Sequence, residues 1–270
     1  MTDFENKKVL NLTSLDNDSI NKLFTSEYMA IRIKNFFTPE VSRTLAEKYC
    51  KHPDFGKYAN AKLIGRVGQA YFEGLEGEAN KELYRDKSRD WLASLRSACA
   101  PYIQPMDRLR LELDEAWING ARLANIQNRN TKAFAGLVRV FEEGSGTEIH
   151  QDKASWDAME IDGFETEITM QLAANVYLEL PSQGGSVDLW DLSLKKHEYE
   201  EKRNNGSYGV NPKELGLGNP EAHFSPQIGD LWIWRADKLH RVNDAGKGRR
   251  VTQSCFIGYR GTNRELIIWS

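Results

Sequence analysis

In the stretch GTEIHQDKASWD, Gly146 to Asp157, His150 and Asp152 are two residues apart, so on an extended strand both side chains leave the same face. A metal site needs a third ligand. Of the five histidines, His52 and His197 sit in polar, charged contexts and His223 in a polar segment. His240 instead ends GDLWIWRADKLH, a glycine-aspartate turn, a strongly apolar strand and a short loop, which places it at a strand end. Two histidines and one carboxylate on one face form the facial triad that holds non-heme iron(II) and leaves three coordination positions open. His150, Asp152 and His240 are therefore the candidate metal ligands and the candidate catalytic centre.

The open positions give a purpose to an arginine nearby. In RRVTQSCF the alternation puts Arg250, Thr252 and Ser254 on one face, with Arg249, Val251 and Gln253 on the other. A 2-oxo acid can chelate iron through its C1 carboxylate and keto oxygen, leaving one position for dioxygen, while its distal carboxylate needs a fixed cation. A planar guanidinium supplies two parallel hydrogen bonds and a neighbouring hydroxyl a third. Arg250 and Thr252 fit that role; the alternative makes Arg250 a surface cation beside Arg249 in the turn AGKGRR. On TMQLAANVYLEL the set Gln171, Asn175 and Tyr177 alternates with Leu172, Ala174 and Val176, so one face can line a wet cavity, with Asn175 touching the cosubstrate. Trp232 and Trp234 read as core, His197 and His223 as solvated.

Substrate contacts are less specified. Trp156 and Asp157 offer an aromatic wall and a carboxylate for an amine, or equally a packed tryptophan and a turn cap. Arg66, in AKLIGRVGQAYFEG, offers a cation for a substrate carboxylate or is a surface arginine.

The elements that must position these residues follow from composition and pattern. At 270 residues and 40% hydrophobic positions the chain suits one large domain. Its 36 basic and 39 acidic residues give a net charge of -3 without long runs of either sign, against a nucleic-acid or anionic-membrane partner. The start MTDFENKKVLNLTSLDND lacks an apolar targeting segment, and no apolar run approaches the roughly 20 residues of a bilayer span, so a soluble cytoplasmic protein is expected. Cys50, Cys99 and Cys255 are odd in number and far apart, and read as reduced thiols. Residues 1–132 read as mainly helical support: FTPEVSRTLAEKYC opens with a capping Thr38 and Pro39 in the first turn, and DRLRLELDEAW carries an apolar stripe. Residues 133–270 read as many short strands, interrupted at 192–226 by a polar insert of the length used for lids.

The motifs His150-Gln151-Asp152, His240 and Arg250-Val251-Thr252, with the hairpin VYLELPSQGGSVDLWD, resemble the iron(II)/2-oxoglutarate-dependent oxygenases from about Ala133 to the C-terminus. That resemblance implies a mainly β fold with flanking helices (α+β) around a double-stranded β-helix, or jelly-roll, core, with Fe(II) and 2-oxoglutarate as cofactor and cosubstrate. From about Leu63 onward the sequence looks most like the free-standing branch that acts on small molecules and includes carrier-protein-independent radical halogenases and hydroxylases. The halogenases of that branch carry Gly or Ala where this chain has Asp152, because chloride takes that iron position. The departure implies hydroxylation of an unactivated C–H in a free small molecule, an amino acid or related polar metabolite. Two other classes share the fold: a cupin-like metal enzyme, and a metal-dependent binding protein, neither using 2-oxoglutarate and neither giving Arg250 a reason.

Overall fold

The computed structural model describes residues 7–58, 61–126, 131–161, 163–165, 167–204 and 207–270. Its centre is a pair of ten-residue strands, Met170–Glu179 and Arg250–Tyr259, paired antiparallel from Met170 opposite Tyr259 to Glu179 opposite Val251. Around them runs a ten-stranded sheet. Leu231–Arg235, Ala30–Ile33 and Val9–Leu12 follow beyond the first strand, and Leu137–Phe141, Ile64–Val67 and Gly56–Lys57 beyond the second. Leu266–Trp269 pairs with the far end of Arg250–Tyr259 and, in parallel, with Ala121–Leu123.

A smaller sheet of Ala222–Phe224, Val187–Leu189 and His240–Val242 closes the other side of the jelly roll. Phe224 of that sheet stacks on Trp232 of the large one, ring centroids 3.7 Å apart. Side chains alternate across the large sheet. Arg250, Thr252, Ser254, Leu137, Arg139, Phe141, Tyr177, Asn175, Trp232 and Trp234 share the face toward the small sheet.

Helices cover the opposite face. In Pro39–Cys50 the Thr38 hydroxyl accepts from the Val41 N–H at 3.4 Å and Pro39 occupies the first turn, while Leu45 and Tyr49 are fully buried. The Tyr49 hydroxyl donates to Gln253 Oε1 at 3.0 Å, which fastens the helix to the outward side of the central strand. Pro105–Ala116 buries Leu109 and Leu113 as its stripe requires. No helix among the described residues is long and apolar enough to cross a membrane.

The part read as mainly helical, 1–132, carries the helices Asn17–Phe24, Pro39–Cys50, Glu78–Cys99 and Pro105–Ala116, but it supplies strands as well. Five of the ten strands, Val9–Leu12, Ala30–Ile33, Gly56–Lys57, Ile64–Val67 and Ala121–Leu123, come from that part. Strands of two to four residues are too short to display a two-residue period, and they form because a neighbouring strand already offers its edge. The insert is likewise less loop-like than its composition: it contains the helix Lys196–Glu201 and ends in Ala222–Phe224, a strand of the small sheet.

The turn that launches the strand toward His240 is set by Gly229. Its φ is +91°, its N–H donates to the Tyr177 carbonyl at 2.7 Å, and its own carbonyl accepts from Phe37 N at 2.9 Å. A Cβ there would strike the Phe37 carbonyl oxygen. Gly229→Ala should therefore cost about 2 to 4 kcal/mol in urea unfolding, from left-handed backbone strain plus the clash. A loss below about 1 kcal/mol would show that the two backbones separate freely.

Candidate active site

His150 and His240 lie directly opposite each other in an antiparallel bridge: His150 N donates to His240 O at 2.9 Å and His240 N to His150 O at 2.8 Å. A pair exchanging both hydrogen bonds projects its side chains to one face, and the imidazole centroids are 4.3 Å apart. Asp152, one strand period on, is anchored by its N–H on the Ala236 carbonyl at 2.7 Å. Its carboxylate stands 3.8 Å from His150 Nε2 and 3.5 Å from His240 Nε2. The three donor atoms lie within 4.8 Å of one another, and no other such group occurs among the described residues.

The donors are in the protonation states a cation needs. Nδ1 of His150 meets the Glu148 carbonyl at 2.8 Å, and Nδ1 of His240 the Lys238 carbonyl at 2.9 Å. Each Nδ1 therefore carries the proton and each Nε2 presents a lone pair toward Asp152. Burial, helped by the neighbouring His240, pushes the His150 pKa down to about 4. Burial alone would raise Asp152, but the neighbouring His150, His240 and Arg139 outweigh it and hold the carboxyl below its ordinary value. Two imidazole nitrogens and one carboxylate are a donor set that suits a divalent first-row metal.

Deeper in the cavity Arg250 is 1% exposed, which overturns its reading as a surface cation. Arg249 points the other way and is bidentate to Glu179 at 3.0 Å. Arg250 Nη2 meets the Tyr177 hydroxyl at 3.3 Å, and the Phe141 and Tyr177 rings flank the guanidinium at 5.3 and 5.0 Å. A register shift at Val251/Thr252 sets Tyr177 opposite Thr252. Arg250 Nε and Nη1 and Thr252 Oγ1 are buried without partners. A buried cation with unused donors is expensive unless an anion arrives, so these atoms outline a carboxylate position. Asn175 faces the same space between Ser254 and Trp232. Trp232 and Trp234 are buried as expected, yet on the cavity face, with both Nε1 atoms unpartnered.

The remaining candidates separate. Arg66 is on the inner face but ion-paired with Glu73, and its guanidinium rests 4.5 Å from the Tyr58 ring. Trp156 is half-buried, 5.4 Å from the Tyr199 ring centroid. Asp157 is half-buried and its carboxylate accepts the Ala158 N–H, so it does cap a turn. Burial, reinforced by Asp152 and Glu160 against that hydrogen bond, also pushes its pKa up to about 7. His52, expected in a polar context, is buried with Nε2 2.9 Å from Ser94 Oγ, because a helix packs over it.

One residue escaped the sequence reading. Arg139 stands between Arg66 and Thr252 on the inner face; burial lowers its pKa, but Tyr58, Asp152 and Glu73 together raise it above the ordinary value. Among the described residues no carboxylate pairs with it directly. The alternation in LVRVF, an arginine flanked at two-residue spacing by Leu137 and Phe141, is the signal that could have found it.

The family model described as carrier-protein-independent halogenase WelO5 matches residues 8–270. The chain is 32% identical over 200 residues to the L-gamma-glutamyl-L-propargylglycine hydroxylase of Streptantibioticus cattleyicolor, covering 70% of this chain and 69% of that protein. It is 32% identical over 124 residues to the L-isoleucine 3(1)-dioxygenase of Pantoea ananatis, covering 45% and 41%. Among solved structures, an N-substituted L-amino acid dioxygenase from Burkholderia ambifaria superposes with a TM-score of 0.62 at 15% identity, over 94% of this chain and 91% of that one. This last likeness is one of fold.

His150 and Asp157 act on stability in opposite senses. The folded pKa of His150 lies below 6.5, so the metal-free fold gains stability as pH rises from about 4 to 6.5. That of Asp157 lies above 3.8, so the fold loses stability as pH rises from 3.8 to about 7. Thermal melts of the chelator-treated protein should therefore be flatter between pH 4 and 6.5 than those of Asp157→Asn, whose melting temperature should climb with pH. Parallel profiles would mean that Asp157 is not held in a desolvated site.

Proposed function

Because this chain belongs to the family of the carrier-protein-independent halogenase WelO5, we propose that its site hydroxylates an unactivated C–H of a free amino acid or a close derivative. The protein is an iron(II)/2-oxoglutarate-dependent dioxygenase. The observation that carries the hydroxylase reading is the complete triad, with the Asp152 carboxylate set between both Nε2 atoms. Iron(II) with 2-oxoglutarate supplies the activation of dioxygen and the oxidising power for the C–H bond, and 2-oxoglutarate leaves as succinate and carbon dioxide.

The chain's own residues divide the remaining work. His150, Asp152 and His240 hold the metal on one face, and Asp152 fills the position that chloride would otherwise take. Arg250 Nε and Nη1 and Thr252 Oγ1, all lacking partners, receive the distal carboxylate of 2-oxoglutarate, with Tyr177 steadying the guanidinium and Asn175 alongside. Those orphan donors disfavour a cupin-like or purely binding role, which would leave them uncompensated. Asp157 takes the substrate amine beside the Trp156 ring. Arg139 supports the substrate carboxylate, backed by Arg66, whose own charge Glu73 already neutralises. The named hydroxylase and dioxygenase relatives support the amino-acid class. The insert from 192 to 226 serves as a lid that limits water, and the three unpaired cysteines suit a cytoplasmic location.

Arg250→Ala should raise the 2-oxoglutarate requirement by at least about 30-fold, the lower end of the roughly 2 to 5 kcal/mol for breaking a buried charge-assisted pair, whereas Arg249→Ala should change it by less than about threefold. Steady-state decarboxylation against 2-oxoglutarate concentration reads both, and sensitivity at Arg249 instead would reassign the site. For the outcome of the reaction, a panel of free amino acids in chloride buffer should give substrate-stimulated succinate and a hydroxylated product without a chlorinated one. Asp152→Gly should lose most turnover, with chlorination a minor product at best, because the pocket still directs the substrate as for hydroxylation. A chlorinated product from the unaltered protein would refute the role given to Asp152.

A further inference from the structure

Between the two ligands of the first strand stands Gln151, whose side chain leaves the opposite face from His150 and Asp152 and is only 6% exposed. Both ends of its carboxamide are spent on one residue of the insert: Nε2 donates to the Leu194 carbonyl at 3.0 Å, and Oε1 accepts the Leu194 N–H at 2.9 Å. This is the pairing a neighbouring strand would make, supplied by a side chain. Lys153, two residues on, donates to the same carbonyl at 2.7 Å.

The segment Gln151 grips also braces the second ligand strand. Trp190 N donates to Leu239 O at 2.9 Å, Leu239 N to Leu192 O at 2.8 Å, and Ser193 Oγ to Asp237 O at 2.8 Å. Residues 190–194 thus bridge the stretch just before His240 to the stretch between His150 and Asp152. Around the bridge Ile149, Trp190, Leu194, Tyr199, Val210 and Leu239 form a small hydrophobic core of their own. An apolar residue at 151 would extend that core without directional demand, whereas a fully satisfied buried amide fixes one relative position.

We propose that Gln151 is a positioning residue: through its two hydrogen bonds to Leu194 it holds the extended stretch His150–Asp152 at a set spacing from His240, and so tunes the affinity of the triad for iron(II). The proposal rests on the assignment of those three residues as metal ligands. Outer partners that orient ligands typically change metal affinity by about 10- to 100-fold.

The test is anaerobic iron(II) titration without cosubstrate, which does not depend on turnover. Gln151→Leu should bind iron(II) about 10-fold or more weaker, and Gln151→Glu, which keeps an acceptor for the Leu194 N–H beside Lys153, should recover part of the loss. Gln253→Leu is the control. Gln253 is equally buried and makes amide bonds to Tyr49 and Gly136, so its loss should lower the melting temperature yet leave iron(II) affinity within about twofold. On the unaltered protein, iron(II) should slow hydrogen exchange across 190–195, because coupling between two sites is reciprocal. Undiminished affinity in Gln151→Leu, an equal loss in Gln253→Leu, or unchanged exchange at 190–195 would each overturn the proposal. If Gln151→Leu fails to fold, Gln151→Glu and the exchange measurement decide alone. Failure of the oxygenase reading would look different: iron(II) bound normally, without 2-oxoglutarate consumption.

Discussion

The reciprocal backbone pair between His150 and His240, at 2.9 and 2.8 Å, is the constraint from which the site follows. It is a single bridge, made by a residue outside any strand to the first residue of His240–Val242, yet it fixes which residues oppose each other at the site. A slip of one residue in the first stretch would turn the His150 imidazole away from His240 and bring Ile149 or Gln151 into its place. Given the pair, the two-residue period adds Asp152 on the same face, and the carbonyls of Glu148 and Lys238, each two residues before a histidine, fix both tautomers. Backbone geometry thus does most of what a metal centre requires.

The same logic of alternation carries the cavity behind it. The large sheet has a dry side, where Val138, Val140, Ala174, Val176 and Cys255 meet helices, and a side on which Arg250, Thr252, Asn175 and Arg139 converge. Burying the Arg250 guanidinium there costs desolvation that, among the described residues, no carboxylate repays directly. Arg66 shows the contrast, since the structure supplies Glu73 beside it. An arginine paired within the protein holds shape, whereas Arg250, with Nε and Nη1 buried and unpartnered, offers its donors to a ligand.

What could be seen in the sequence follows the length scale of the signal. The ligands and Arg250 were legible because each sits on a strand long enough, or beside a turn distinct enough, for parity to be read; Arg249 and Arg250 fall on the sides that alternation assigns. The helix caps at Thr38 and Pro39 were legible because they are local chemistry. The short strands from the N-terminal part were not, since four residues such as AIRI acquire their state from the neighbours they pair with. Arg139 was in plain view in LVRVF, but its meaning depends on Thr252 and Arg66 standing on either side, a relation between segments far apart in the chain. The partner of Arg66 and the two-ended grip of Gln151 on Leu194 belong to the same class: contacts that exist only once distant segments have met.

Five buried atoms without partners, on Arg250, Thr252, Trp232 and Trp234, share the inner face of the large sheet, so the fold is less stable empty than loaded. Arg250, Thr252 and both indole nitrogens lack partners there, while an acid with its pKa pushed up to about 7 stands a few residues from the ligands. The buried amides of Gln253 and Gln151, by contrast, are paired at both ends. Whatever satisfies those atoms binds the folded chain and not the unfolded one, so each ligand adds stability in proportion to the logarithm of its concentration over its dissociation constant. The insert shares in this, because residues 190–194 bond to both ligand-bearing stretches. Order at residues 190–194 is therefore linked to the spacing of the two ligand-bearing stretches they bond to.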